Sequence, residues 1–452
     1  MSRELLVVAF HFPPLASSGT YRTLSFARHL ARMGWRLTVV TVAGTEAAPR
    51  DEALLLEVPK DARVVRARSF DPVAVLKRLL LLRRDGARSS AASTGNASGG
   101  CAAGGAVGGA AGVVTRLLQV PDRESPFQFT AAAAAVRAYA DRDPPDAVFA
   151  SGPPMSGLVA GALAARALGA PLVADLRDPW RANPFRSAGG AAGALDSLLE
   201  RFVVASSSAI VANTPHAAAA LLKAHPDVPE GRVAVIENGF DPDGLPRVEA
   251  PPAGTGPLTL LHAGVLYGKR DPGPLLRAIR AAAEGDPSLR GFFRVRFVGF
   301  QGDARFSAKR LAAETGGAAD VSVEGSLPHA AALEEMIRAD VLLLLGVIGA
   351  GPEVQVPAKL FEYLATGRPI FSLHHPEGAI AAVLAEVDPS ARVFPAPADD
   401  EAAIARALRD VAAARRGGRL LRGPSALPAR FDRARQAERL DGILSAACYS
   451  RR

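Results

Sequence analysis

Four short stretches of the chain set ionisable side chains where chemistry could be done. In VPAKLFEYLATGRPI, residues 356–370, a helix is expected from about Pro357 to Thr366, with Leu360, Phe361 and Leu364 as its apolar face and Gly367 as its stop. Lys359 and Glu362 stand three apart near its start, so a cation and a carboxylate share one side of the first turns. A solvated helix edge is the plain alternative. In HAGVLYGKRDP, residues 262–272, Gly264 and Gly268 bracket a loop after a strand, Lys269 and Arg270 are cations, and Pro272 suits a first helical turn. A cationic, glycine-containing loop suits a phosphate, with a solvated surface pair as its alternative.

The other two stretches lie in the first half. In HFPPLASSGTYR, residues 11–22, Pro13 and Pro14 stiffen a turn, Ser17 or Ser18 can cap, and Gly19 lets backbone approach a ligand as a helix begins. The spacing G-x-G-x-x-G is missing, so a dinucleotide fingerprint is not supported. VADLRDPW, residues 173–180, ends a strand in Asp175, Arg177, Asp178 and Trp180. Charges at the carboxyl end of a strand in an open α/β sheet are candidates for catalysis or for holding sugar hydroxyls. An Arg177 ion pair closing the loop would explain them equally well. The carboxylate pairs in DRD, 141–143, and DPD, 241–243, read as turns, and His374 and His375 lack the partners a metal needs, so no metal site is expected.

Short apolar, β-branched runs alternating with Ala/Leu-rich helical segments must position these groups, which predicts parallel sheets covered by helices. Strands are expected at 4–10, 36–42, 146–151, 171–176, 209–213 and 232–238, then at 258–264, 293–299, 321–325, 340–346 and 369–373. The alternation restarts after FDPDGLPRVEAPPAGTGP, residues 240–257, whose Pro and Gly density marks a linker. The expected organisation is a first domain at 1–248, a linker at 249–257, a second domain at 258–429 and a closing helix at 430–452. A Gly/Ala/Ser-rich stretch at about 85–112 reads as a flexible surface insertion.

Composition narrows the classes. A chain of 452 residues, 49% hydrophobic and 22% charged, is globular and long enough for two cores of roughly 200 residues each. Only six of the 53 basic residues are Lys, so part of the +8 charge reads as compositional background rather than a nucleic-acid surface. Two cysteines, Cys101 and Cys448, give no disulfide framework, and no apolar span reaches 18 residues, which points to a reducing, cytoplasmic setting. In VLKRLLLLRRDGAR, residues 75–88, Lys77, Arg78, Arg83, Arg84 and Arg88 flank Leu79 to Leu82, an arrangement suited to an anionic membrane surface.

Taken together, HFPPLASSGTYR, VADLRDPW, ENGFDPD, HAGVLYGKRDP and VPAKLFEYLATGRPI resemble a family-four, GT-B-fold glycosyltransferase over about residues 3–430. The resemblance implies an α/β fold of two Rossmann-like domains facing a central cleft, with a carboxyl-terminal helix crossing back to the amino-terminal domain. It implies sugar transfer from a nucleotide-sugar donor to an acceptor with retention, needing neither metal nor cofactor. By the same resemblance Gly19, Gly264, Lys269, Arg270, Lys359 and Glu362 serve the donor, Glu362 through ribose hydroxyls. Asp175, Arg177 and Asp178 are then the catalytic candidates, with His11 and Arg22 on the acceptor or sugar side. The first acidic position of the family pattern falls on Val354, with Glu353 one residue early, and Val265 stands where the family often has Arg. A sugar-nucleotide epimerase of the same fold and a silent nucleotide-sugar-binding protein are the alternatives.

Overall fold

The computed structural model describes residues 3–44, 49–75, 110–181, 183, 186, 189–246, 256–266, 268, 270–300, 303–349, 353–387, 393–420 and 427–449. Lys269, insertion residues 85–109, linker residues 249–255 and the basic Leu-rich stretch beyond Val75 lie outside them. The chain divides into two compact units, Met1–Ile236 with Gln436–Arg452, and Glu237–Arg435. The division falls ahead of the Pro/Gly-rich stretch because residues 237–246 are tied to the second unit. Phe240 N–H donates to Phe431 O at 3.0 Å, Arg433 N–H donates to Phe240 O at 3.1 Å, and Arg430 Nε donates to Glu237 Oε2 at 2.7 Å.

The first unit carries seven parallel strands in the order β3-β2-β1-β4-β5-β6-β7: β1 Arg3–Ala9, β2 Trp35–Val42, β3 Arg63–Ala67, β4 Ala147–Gly152, β5 Leu172–Leu176, β6 Ser207–Ala212 and β7 Val233–Val235. Its central strands read as unbroken apolar runs because helices cover both faces. On one face Leu6, Val8, Val148, Ala150 and Ala174 pack under α3 (Phe127–Ala138), α4 (Met155–Leu168) and α5 (Gly190–Ser206). On the other, Leu5, Val7, Phe149, Val173 and Val211 meet α1 (Ser18–Arg32) and the closing helix α13 (Arg433–Tyr449). The short helices α2 (Ala110–Leu118) and α6 (Pro215–Ala224) complete the unit. The closing helix brings Ala437, Leu440 and Leu444 into that core, and Trp35 Nε1 donates to its Asp441 at 2.6 Å.

The second unit has six parallel strands in the order β10-β9-β8-β11-β12-β13: β8 Leu258–Ala263, β9 Phe293–Phe300, β10 Ala319–Gly325, β11 Val341–Leu345, β12 Ile370–Leu373 and β13 Val393–Ala396. Helices α7 (Gly273–Gly285), α8 (Ala308–Glu314) and α12 (Glu401–Arg416) belong with the core of Leu260, Val295, Leu343 and Phe371, while α9 (His329–Arg338), α10 (Lys359–Thr366) and α11 (Ala379–Glu386) line the opposite face. In each sheet the direction of winding reverses beside the first strand, between β1 and β4 and between β8 and β11. Ligands of open α/β sheets bind outside the carboxyl ends of strands at such a reversal. Among the described residues no helix is long and apolar enough to cross a membrane.

Two strands were not foreseen. Both are short edge strands: β3 carries Arg63 and Arg66, and β13 carries Pro395, features that keep an edge from pairing further and erase the apolar signal.

Candidate functional site

The reversal point of the second sheet is where the cations gather. After β8 the backbone turns at Gly264, with φ of 125°, and its N–H donates to Val298 O at 2.7 Å. A side chain there would be strained by that backbone and its Cβ would collide with Lys359 Nζ, so glycine is what lets the amine lie against the chain. Lys359 opens α10, half-buried, with Nζ 3.0 Å from His262 Nε2. His262 is only 1% exposed and its Nδ1 lies 3.0 Å from Leu343 O. A carbonyl only accepts, so Nδ1 carries the hydrogen and Nε2 is left to accept from Lys359. Burial and the neighbouring charges of Lys359 and Arg270 hold the imidazole well below its usual range, hence neutral. Burial, followed by the charge of Arg270, lowers Lys359 to about 7, with Glu362 opposing.

One turn along α10, Glu362 is half-buried and lies 3.0 Å from His329 Nε2. Burial alone would raise it, but the His329 hydrogen bond and the charges of His329, Arg433 and Lys359 hold it below the usual carboxylate value. Tyr363, fully buried behind it, accepts Ala263 N–H at 2.8 Å and so pins α10 to the end of β8. Gly367, with φ of 65°, ends the helix in the left-handed cap the sequence implied. The helix starts two residues later than expected, at Lys359, which places that residue at its first position.

Glu353, the carboxylate one residue short of the family position, accepts His375 N–H through both oxygens, at 3.0 and 3.2 Å. Burial raises its pKa against those hydrogen bonds and the nearby charges of His375 and Arg270. Gly346 and Gly378 leave the room it occupies. Gly264, Arg270, Lys359 and Glu362 are thus brought into one neighbourhood. Sequence reasoning missed His262, His329 and Tyr363. The signal for the first was present, since a histidine in a strand otherwise apolar must find a partner.

In the first unit the expected acidic cluster divides. Asp175 is 0% exposed and saturated: Arg22 donates to it through Nε at 3.2 Å and through its terminal nitrogen at 2.8 Å, and Ser151 Oγ donates at 2.7 Å. Arg22 in turn donates to Ile236 O at 2.8 Å. Asp175 and Arg22, expected at the substrate, together form a buried pair joining α1 to the ends of β4, β5 and β7. Arg177 donates to Pro153 O and its guanidinium fills the space that a Cβ on Gly19 would need. Gly19 is therefore explained by its contact with Arg177. Burial lowers Arg177, opposed by Asp178 and Asp175. His11, half-buried beside Arg177, is driven to about 3 by burial and that positive charge, so it is neutral. Asp178 alone of the acidic pair is partly exposed.

Residues 19–239 match the model of the glycosyl transferase 4-like domain family. That match falls almost wholly within the amino-terminal unit. Solved structures extend the likeness in fold across the whole chain. A sucrose-phosphate synthase from Thermosynechococcus elongatus aligns at TM-score 0.59 and 14% identity, covering 98% of this chain and 97% of its own. An alpha,alpha-trehalose 6-phosphate synthase from Burkholderia multivorans aligns at 0.61 and 14%, covering 100% of each. A protein from Listeria monocytogenes described as a UDP-N-acetylglucosamine 2-epimerase aligns at 0.55 and 11%, covering 98% and 96%. No curated protein matches the sequence. The family-four glycosyltransferase resemblance and the GT-B fold are confirmed: two parallel sheets of seven and six strands with a carboxyl-terminal helix returning to the first unit.

Proposed function

We propose that this glycosyltransferase-family chain moves a sugar from a nucleotide-sugar to an acceptor, with retention and without a metal ion. The observation that carries the reading is the cation cluster at the winding reversal of the second sheet, where Lys359 lies against Gly264 beside Arg270 and Glu362 sits one turn on. Departure of a nucleoside diphosphate leaves negative charge on its phosphate oxygens, and fixed cations aimed there stabilise the transition state with little reorganisation. Arg270 and Lys359 take that part, and Glu362 accepts from the ribose. In the first unit Asp178, rather than the saturated Asp175, orients the acceptor hydroxyl. Arg22 and Asp175 hold the strand ends in place.

A thermal-shift panel of nucleoside diphosphates and their sugars tests this, since a ligand that binds only the native state raises its melting temperature. One base is expected to stand out, and Glu362→Gln is expected to weaken that ligand about tenfold or more, through loss of a charged hydrogen bond of about 1.5–3 kcal/mol. A flat panel would reject the donor site. Conversion of the donor with no acceptor present would instead favour an epimerase.

The acceptor is a glycan, a lipid-linked molecule or a small molecule, and the setting is the cytoplasmic face of an anionic membrane reached through residues 75–88. Phe70, shortly before that stretch, Val75 at its start, and Val113 and Val114, just after the insertion, are exposed apolar side chains in its support. Co-sedimentation with anionic liposomes is expected to fall with added salt and with Arg83→Glu plus Arg84→Glu. Indifference to both would sink the membrane assignment.

A further inference from the structure

We propose that His262 is a positioning residue for Lys359: it aims the amine across Gly264 and leaves it able to take up one proton as an oxyanion arrives. The inference rests on the donor reading only for the identity of the oxyanion, a phosphate group of the donor.

The geometry fixes each element of the proposal. Leu343 O holds the Nδ1 hydrogen of His262 at 3.0 Å, so the opposite ring nitrogen has a lone pair directed at Lys359 Nζ, also at 3.0 Å. The imidazole is 1% exposed, tilted against Phe297 with ring centroids 6.2 Å apart, and so cannot turn away. Gly264, lacking a Cβ, leaves the space the amine occupies.

The groups facing Lys359 are His262 from β8, Arg270 from the loop that follows, and Glu362 on its own helix. Glu362 is shared with His329 from α9 and Arg433. Tyr363 faces the other way, toward Ala263. Burial, followed by the charge of Arg270, makes a poor home for an ammonium, which fits the value of about 7. An incoming phosphate reverses that balance. Its negative charge favours the protonated amine, so a proton enters from solvent, Lys359 becomes an ammonium, and no bond in the ligand changes.

Trace acetylation of the intact protein over a pH series, read at each lysine by mass spectrometry, tests the idea without knowledge of the donor, because only a neutral amine reacts. Lys359 is expected to label with a midpoint near 7. Inorganic pyrophosphate in excess is expected to raise the Lys359 midpoint. His262→Phe is expected to lower it by loss of the acceptor, and His262→Gln, which keeps an acceptor, to restore most of it. The inference is overturned if Lys359 labels with the other lysines, if pyrophosphate leaves its midpoint in place, or if the Phe and Gln variants behave alike. If His262→Phe fails to fold, the pyrophosphate arm and His262→Gln decide. A midpoint raised by pyrophosphate and by no nucleotide-sugar would uphold the His262 assignment while defeating the proposed donor.

Discussion

Asp175→Ala is expected to destabilise the first unit by about 3–5 kcal/mol, the cost of leaving one partner of a buried ion pair uncompensated. The removed carboxylate is 0% exposed, and it leaves behind Arg22, 5% exposed, which still donates to Ile236 O. Ser151 would lose its acceptor as well. Replacing both partners together, by Asp175→Leu with Arg22→Met, is expected to recover much of the loss, because a buried pair often does no more for stability than well-packed apolar side chains. Urea unfolding of the three variants, followed by circular dichroism, separates structure from chemistry. Were Asp175→Ala to keep the wild-type midpoint while turnover vanished, the carboxylate would be a catalytic group after all.

That pair also marks the limit of what the chain reveals as text. Strands such as LLVVAF and VLLLL announce themselves because a strand covered on both faces has only apolar neighbours to satisfy. The cap at Gly367 and the Lys359/Glu362 spacing are equally local, fixed within one or two helical turns, and both were readable. Arg22 and Asp175 are separated by 153 positions, and no periodicity links them. A motif ending in Asp-Leu-Arg-Asp looks the same whether its first acid meets substrate or an arginine from a distant helix. Burial alone decides, and here it separates Asp175 from Asp178. His262 was missed for a related reason. Its partners, Leu343 O and Lys359 Nζ, come from β11 and α10, so its role exists only once the sheet has formed. The early boundary at Ile236 follows the same rule: the Pro/Gly-rich stretch is visible in composition, but the pairing of Phe240 with residues 431 and 433 is not.

Lys359→Ala is expected to lower the transfer rate about a hundredfold, the scale seen when one preorganised charge stabiliser is removed from a transition state. Its effect on binding of the free nucleoside should be small, since the nucleoside lacks the phosphates the amine would face. A charge that matters most as the leaving group develops is lost mainly from kcat, whereas Glu362→Gln, acting on the ribose in both states, should act mainly through KM. The pH dependence gives an independent check. With a free-enzyme value of about 7, Lys359 loses its proton as pH rises through neutrality. The profile of kcat/KM, which reports the free enzyme, should therefore be highest below pH 7 and fall above it by up to tenfold per pH unit. Lys359→Arg keeps its charge across this range and should flatten that limb even if poor geometry lowers the whole curve. A limb near pH 7 that survives in Lys359→Arg would belong to another group and would remove Lys359 from the phosphate site.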